Sequence, residues 1–173
     1  AAQPAERLAG WLADLAETDQ AIERRLRVYQ AQHSPRELRK ALGRLLRAPR
    51  FLDWRASRKF AREIDAVIEM LAEFMGTDAH TGIELYEYAL TRLFKIYEQS
   101  DDSGGDIGDR IREIVERYVE RLGDSNPTGA ARAKALLNLQ REDQWSFLPL
   151  KKVWPLLDAA GRAAYAKAIE DEF

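Results

Sequence analysis

Apolar residues recur every three or four positions along nearly the whole chain, and this spacing limits what the chain can fold into more than any other feature. Leu8, Trp11, Leu12 and Leu15 form one such apolar stripe near the start. The spacing matches the turn of an α-helix, whereas a half-buried strand would alternate polar and apolar residues at every second position. No strand-like alternation persists in the sequence. The pattern therefore predicts an all-α fold whose apolar stripes face a core.

Capping residues divide this pattern into about nine helices. Ser-Pro-Arg-Glu at 34–37 predicts a helix start in which Ser34 caps the helix, the proline occupies the first turn and Glu37 reaches back to the cap. Thr-Gly-Ile-Glu at 81–84 predicts a second capping box of this kind. Asp53 and Asp106 are the expected caps of two further long helices.

The remaining helix predictions complete the expected fold. Two helices are expected over residues 4–17 and 19–32, ahead of the first capping box. The long helix after Asp53 has its candidate core residues at helical spacing, namely Trp54, Phe60, Ile64, Val67, Ile68, Leu71 and Phe74. Because short links place successive helices antiparallel, we expect helical hairpins arranged as an irregular helical-repeat-like stack or a compact bundle.

Length and composition bound the class of protein. The chain has 173 residues and no Cys, which excludes a disulfide framework, a thiolate zinc site and a cysteine nucleophile. It is 46% hydrophobic and 32% charged, as expected for one globular domain over residues 1–173. We find neither a membrane-length apolar run nor a secretion signal, so we expect a cytoplasmic protein with no membrane partner. The first residue is Ala1 rather than Met, as in the C-terminal part of a longer chain.

Charge is strongly segregated along the chain although the net charge is only −2. Residues 24–62 contain thirteen Lys and Arg against two acids, whereas residues 63–125 contain six bases against sixteen acids. Such asymmetry is typical of an anion-binding face. It is equally typical of two parts of one fold that attract each other. Charge alone leaves both interpretations open.

A basic face is the first candidate site, for nucleic acid or another polyanion. On the third predicted helix, Arg36, Lys40, Arg44 and Arg47 recur every three to four residues on the side that faces away from the apolar stripe, and Arg55, Arg58 and Arg62 follow. Phosphate backbones require Lys and Arg on one surface. Against this, the pI is about 5.8 and no nucleic-acid-reading motif accompanies the face. The other interpretation is a solvated surface with pairs within one helix, such as Arg62 with Asp65.

An acidic loop is the second candidate, for a calcium or magnesium ion or a partner. Its carboxylates are Asp101, Asp102, Asp106 and Asp109. The spacing is not that of an EF-hand, because the twelfth position is Arg112 rather than Glu. The structural interpretation is that Asp106 caps a helix whose first turn contains Asp109. Arg50 or Arg55 is then the expected partner of the remaining Asp101-Asp102 pair.

Little in the sequence points to catalysis. His33 and His80 both lie beside predicted helix starts, and we find no metal-spaced His-Glu pair, nucleophile elbow or phosphate loop. Trp145 lies in a predicted loop and is the best candidate for an exposed partner-binding aromatic. We therefore expect a non-catalytic module that binds a protein or peptide, without a cofactor. A polyanion-binding module and a divalent-metal-dependent enzyme are the alternatives.

Two short motifs carry a resemblance to a known family. They are Arg-Phe-Leu-Asp-Trp-Arg at 50–55 and Asp-Asp-Ser-Gly-Gly-Asp-Ile-Gly-Asp at 101–109, and a short closing helix ends with Ala-Ile-Glu at 168–170. In this order they resemble a family of bacterial all-helical domains of unknown function. The resemblance implies a helical-repeat-like fold and no established activity. Some relatives resemble parts of SWIM-type zinc-finger proteins, but the zinc module is absent from residues 1–173, so no zinc ligand can be carried over.

Overall fold

Eight α-helices form the secondary structure of a computed structural model that describes residues 5–19, 22–23, 34–48, 50–74, 79–124 and 129–171. In chain order they are α1 (Ala5–Thr18), α2 (Pro35–Leu45), α3 (Trp54–Glu73), α4 (Ala79–Glu98), α5 (Asp106–Asp124), α6 (Gly129–Glu142), α7 (Leu150–Val153) and α8 (Ala159–Glu170). A 3₁₀ turn over Trp154–Leu156 follows α7. The predicted all-α class is confirmed. The helix predicted over 19–32 lies almost entirely outside the described residues.

Two predicted helix starts are confirmed by their capping hydrogen bonds. The Oγ of Ser34 accepts a hydrogen bond from the backbone N–H of Glu37 at 3.4 Å, and the Oδ1 of Asp53 accepts one from Ala56 at 2.8 Å. The prediction that Glu37 reaches back to the cap is wrong. Its carboxylate instead accepts a hydrogen bond from the Nζ of Lys40 at 2.7 Å, which lowers the pKa of Glu37.

Two other predicted starts are wrong. Helix α4 begins at Ala79, so residues 81–84 already lie within its first turns rather than forming a capping box. Helix α5 begins at Asp106, but its first free N–H groups are bound by the side chain of Asp102. The start of α5 therefore depends on a residue outside the four-residue window that a capping pattern samples.

Helix α4 lies at the centre of the packing. It contacts α2, α3, α5 and α6, while α3 also packs on α5, and α6 pairs with α8. The apolar stripes predicted for the long helices form the core, since Ile64, Leu93 and Ile111 are completely buried. The fold is therefore a helical assembly around α4. Its surfaces consist of the helix faces that no neighbouring helix covers.

Some apolar side chains predicted to face the core are exposed. On α1, the side chains of Leu8, Trp11, Leu12 and Leu15 are between 43% and 50% exposed, so their predicted core role is wrong within the described residues. Trp54 is 53% exposed, and its predicted core role is wrong as well. Periodicity identifies a helix and its apolar face, but it contains no information about which element covers that face.

No helix among the described residues combines the length and the apolar composition that crossing a bilayer requires.

Candidate binding surfaces

The two motifs that carry the family resemblance meet in the structure through their backbones. The N–H of Leu52 donates to the carbonyl of Gln99 at 2.8 Å, and the N–H of Asp101 donates to the carbonyl of Leu52 at 2.7 Å. These bonds form an isolated parallel bridge between Leu52 and Ser100. We call the region formed by residues 50–58 and 100–106 the motif junction. Leu52 is only 3% exposed and anchors it.

The predicted arginine clasp at this junction is wrong. Neither Arg50 nor Arg55 forms a salt bridge with Asp101 or Asp102; the guanidinium of Arg55 lies 5.1 Å from the ring centre of Trp54 instead. The two segments are held by main-chain bonds, which leaves the arginine side chains exposed. The sequence suggested that attraction between arginine and aspartate side chains would join the two segments. In the structure, backbone hydrogen bonds through Leu52 join them instead.

Asp102 is the residue that caps α5. Its two carboxylate oxygens accept hydrogen bonds from the N–H groups of Ile107 at 2.9 Å and Gly108 at 2.8 Å. Gly105, with φ of 75°, adopts the left-handed conformation that turns the chain back toward the helix. A Cβ at Gly108 would lie 3.2 Å from the Oδ2 of Asp102, so glycine there permits the close approach. The sequence left the role of the adjacent Asp101 and Asp102 unexplained, and the structure assigns a capping role to Asp102.

Arg110 fastens the start of α5 to α3. Its Nε and Nη2 donate to the two oxygens of Asp65 at 2.6 and 3.1 Å, and its Nη1 donates to the carbonyl of Asp106 at 2.8 Å. The hydrogen bond to Asp65 raises the pKa of Arg110. The predicted pair of Arg62 with Asp65 is therefore wrong, because Asp65 is taken by a residue from another helix.

The acidic loop is largely engaged in its own structure. Asp101 accepts a hydrogen bond from the N–H of Ser103 at 3.2 Å, and Asp109 pairs with Arg112 on the next turn of α5. Within the described ranges, no group of three or more carboxylate and histidine side chains is arranged to hold a metal ion. Calcium or magnesium binding by Asp101, Asp102, Asp106 and Asp109 stays a prediction.

Large aromatic side chains are exposed around the motif junction. Phe51 is 65% exposed and Trp54 is 53% exposed. Beside Trp54 lies an open cavity of about 460 Å³ that Ser57, Arg58 and the loop 101–104 with Asp106 also line. The sequence had singled out the acidic loop and Arg58 of this cavity as candidate site residues. It missed the aromatic part of the site, since it assigned Trp54 to the core and singled out no role for Phe51.

Trp145 adds a third exposed aromatic near this end of the molecule. It is 62% exposed, as predicted, and its ring packs edge-on against Tyr97 at 5.4 Å. Tyr97 in turn approaches Gly108, next to the cap of α5. The loop that presents Trp145 is pinned by Asp143, whose Oδ2 accepts a hydrogen bond from the N–H of Leu148 at 2.6 Å. Trp145 is therefore presented on a fixed loop.

The basic segment is divided between two surfaces. On one side, α2 and α4 enclose a groove of about 740 Å³ whose cations are Arg39, Arg47, Arg92 and Lys95. On the other side, Arg58 of α3 lines the cavity at the motif junction. Of the predicted basic-face residues, Arg47 lies in the groove, whereas Arg36, Lys40 and Arg44 lie exposed elsewhere on α2. Arg39 and Arg92 were missed, because neither follows the spacing of the predicted face.

Most cations in the described part of the basic segment, residues 34–48 and 50–62, have no described carboxylate partner. Among the ten Lys and Arg between residues 34 and 62, all of which the structure describes, only Lys40 forms a salt bridge, with Glu37. No salt bridge joins a base of 34–62 to an acid of 63–124 within the described residues. The ten described bases of 34–62 therefore lie exposed on the surface, and none of them is paired with a described acid of 63–124.

A partly buried polar network joins three helices beside the core. The Oε1 of Glu87 on α4 accepts hydrogen bonds from the hydroxyl of Tyr118 on α5 at 3.0 Å and from Arg132 on α6 at 2.9 Å. The side chains of Arg132 and Glu87 are 12% and 19% exposed. Burial, followed by the charge of Glu87, raises the pKa of Tyr118 far above its usual range. This network supports the wall of the groove.

The fold and these surfaces define an all-helical domain with exposed aromatic side chains at the motif junction and, among the described residues, arginines without a carboxylate partner in the groove between α2 and α4. The model of a family of unknown function (DUF6880) matches residues 2–172, and the chain belongs to that family. No curated protein matches the chain, and no solved structure matches it either.

Proposed function

We propose that the protein is a non-catalytic helical interaction module that binds a protein or peptide partner at the motif junction. The observation that carries this proposal is the exposure of Phe51 and Trp54 at the motif junction. The exposed Trp145 is linked to the junction through Tyr97, which lies beside the cap of α5. Exposed aromatic clusters of this kind mark interaction sites, because large rings provide most of the binding energy at the centre of protein interfaces.

Rigidity supports the same conclusion. The junction is fixed by two main-chain hydrogen bonds through Leu52, by the Asp102 cap and by the Arg110–Asp65 pair. A surface that is already ordered loses little conformational entropy when a partner binds. Aromatic side chains held on such a frame therefore suit specific binding.

The charges of the cavity indicate the partner's chemistry. Asp101 and Asp106 line it together with the single cation Arg58, while the oxygens of Asp102 are used by the helix cap. Carboxylates outnumber guanidinium groups there, and opposite charges across an interface favour binding and speed association. We expect the partner segment to offer an apolar side chain to Trp54 and a Lys or Arg to the loop.

A pair of matched variants tests this proposal. Trp54→Ser removes an exposed tryptophan from the junction, and Trp11→Ser removes one of similar exposure from α1. A partner isolated with the full chain from the source organism is purified and titrated against each variant. We expect Trp54→Ser to weaken binding at least about tenfold, which corresponds to about 1.4 kcal/mol, and Trp11→Ser to leave it unchanged.

Equal losses from both variants would attribute binding to nonspecific hydrophobic contact. Unchanged binding by Trp54→Ser would exclude the junction. In either case the proposal fails.

The finer expectations from the resemblance belong to this proposal as well. On the basis of the motifs at 50–55 and 101–109 we place the protein in a bacterium, related to domains that accompany SWIM-type zinc modules. The cytoplasm is the compartment expected from the sequence. The encoding genome and the complete parent reading frame test this directly. A eukaryotic source would contradict the bacterial assignment.

A further inference from the structure

Three arginine side chains converge on the groove between α2 and α4 without a carboxylate partner. Arg39, Arg47 and Arg92 line it, and none of them forms a salt bridge with a described residue. The other charges of the groove are accounted for. Lys95 pairs with Glu142 at 3.0 Å, Glu87 pairs with Arg132 at 2.9 Å, and the exposed Glu84 lies 3.8 Å from His80.

The ring of Tyr88 holds two of these guanidinium groups together. The guanidinium carbon of Arg39 lies 4.5 Å from the ring centre, and that of Arg92 lies 5.0 Å from it. Cation–π contacts of this kind orient the cations but do not neutralise them. Two like charges from different helices thus share one ring, and their repulsion is relieved when an anion binds between or beside them.

The cations continue beyond the groove along the exposed surface of α2. Arg36, Lys40 and Arg44 are exposed and recur every four residues, a rise of about 6 Å along the helix at each step. Arg47 lies just past the end of α2, three residues after Arg44, and lines the groove. Lys40 pairs with Glu37 at 2.7 Å, so Arg36, Arg44 and Arg47 are the cations of this surface that have no carboxylate partner among the described residues. They form an open track and not an enclosed pocket.

We propose that the α2–α4 groove and the adjoining row on α2 bind the phosphodiester backbone of a nucleic acid without reading its bases. The arginine fork matches phosphate oxygens in a two-point hydrogen-bonded geometry. Open, solvated cations each contribute little, so their affinity becomes useful only when several phosphates of one polymer bind at once. A single small phosphate would require an enclosed site, which this groove does not provide.

Salt dependence provides the first test. The full chain is titrated against a short labelled single-stranded oligonucleotide at several salt concentrations by fluorescence anisotropy. We expect binding at low salt that weakens as salt rises, with a slope of log K against log salt of about −0.7 for each neutralised phosphate. Inorganic phosphate and a mononucleotide are titrated in parallel, and we expect both to bind far more weakly than the oligonucleotide.

Matched variants assign the binding to this surface. The double variant Arg44→Gln with Arg47→Gln removes two exposed cations of the track, and Lys134→Gln with Lys167→Gln removes two exposed cations on α6 and α8. We expect the first variant to make the slope about 1.4 shallower, as two lost contacts require, and the second to match the unmodified chain. All four side chains are exposed, and unchanged melting temperatures verify that both variants fold.

Three results would overturn the proposal. The first is the absence of binding at low salt, and the second is an equal loss in the Lys134 and Lys167 variant. The third is tighter binding of the mononucleotide or of inorganic phosphate than of the oligonucleotide, which would assign the groove to a small ligand.

Discussion

Glu87 is the residue through whose carboxylate part-buried hydrogen bonds join three helices. Its carboxylate receives hydrogen bonds from Tyr118 and Arg132, so it joins α4 to α5 and α6. Removing one member of such a network leaves another charge poorly solvated and without a partner, which costs more than the intact pair contributes. Nothing in the sequence singles out these three residues, because they are more than thirty positions apart or lie on different helices.

We expect Glu87→Gln to lower the free energy of unfolding by about 3–5 kcal/mol, since the guanidinium of Arg132 then stays partly buried beside a neutral group. Arg132→Gln should cost a similar amount for the corresponding reason. The double variant should cost clearly less than the sum of the two, as urea unfolding would measure. Additive losses would contradict a direct coupling between these side chains.

Tyr118 gives the molecule a defined response to alkaline pH. Burial beside Glu87 raises its pKa well above the ordinary value of 10.0, so the unfolded chain releases this proton before the folded chain does. Stability from this group is therefore complete below pH 10 and is lost as pH rises beyond it. We expect the free energy of unfolding to fall above pH 10, and to fall less steeply in Tyr118→Phe. Equal slopes would contradict this assignment.

At the scale of single elements, the helices could be predicted but their ends and partners only in part. The starts at Ser34 and Asp53 were predicted because their capping side chains bind an N–H three residues ahead. Asp102 was not identified as a cap, because it reaches five and six residues ahead across a turn that Gly105 permits. Trp54 was misassigned to the core because a stripe at the end of a helix can extend beyond the element that covers it.

The cap of α5 can be tested with adjacent residues. We expect Asp102→Ala to destabilise the protein by about 1–2 kcal/mol, because two N–H groups of the first turn lose their acceptor. Asp101→Ala is the matched control and should cost less, since it removes one exposed hydrogen bond to Ser103. Chemical denaturation measures both. A larger loss in Asp101→Ala would reverse the roles assigned here.

The loop that presents Trp145 has its own test. Asp143 is buried, its Oδ2 accepts a hydrogen bond from the N–H of Leu148, and its Oδ1 has no hydrogen-bond partner among the described residues. We expect Asp143→Ala to cost about 1–3 kcal/mol, because the N–H of Leu148 loses its acceptor, and Asp143→Asn to cost less because an amide oxygen can still accept. Thermal unfolding compares the two. Equal losses would show that the charge matters more than the hydrogen bond.

At the scale of the whole molecule, positive and negative charges are segregated along the sequence, and the fold divides the basic residues between two separate surfaces. Charge counts singled out residues 24–62 as a basic segment. They could not distinguish an anion-binding face from an attraction between two parts of the fold. The described salt bridges favour a surface, and the packing divides it between the α2–α4 groove and the motif junction. This division depends on which helices pack against each other. Periodicity and local spacing in the sequence do not determine that long-range packing.

Cross-linking in living cells tests the central claim, that the motif junction is a binding surface, most directly. A photoactivatable residue replaces Phe51 at the junction in one strain of the source organism, and Trp11 on α1 in another, both exposed positions. The account predicts a discrete cross-linked partner from position 51 that is absent from position 11 and is lost when Trp54→Ser is added. The same cross-linked species from both positions, or none from position 51, would contradict it.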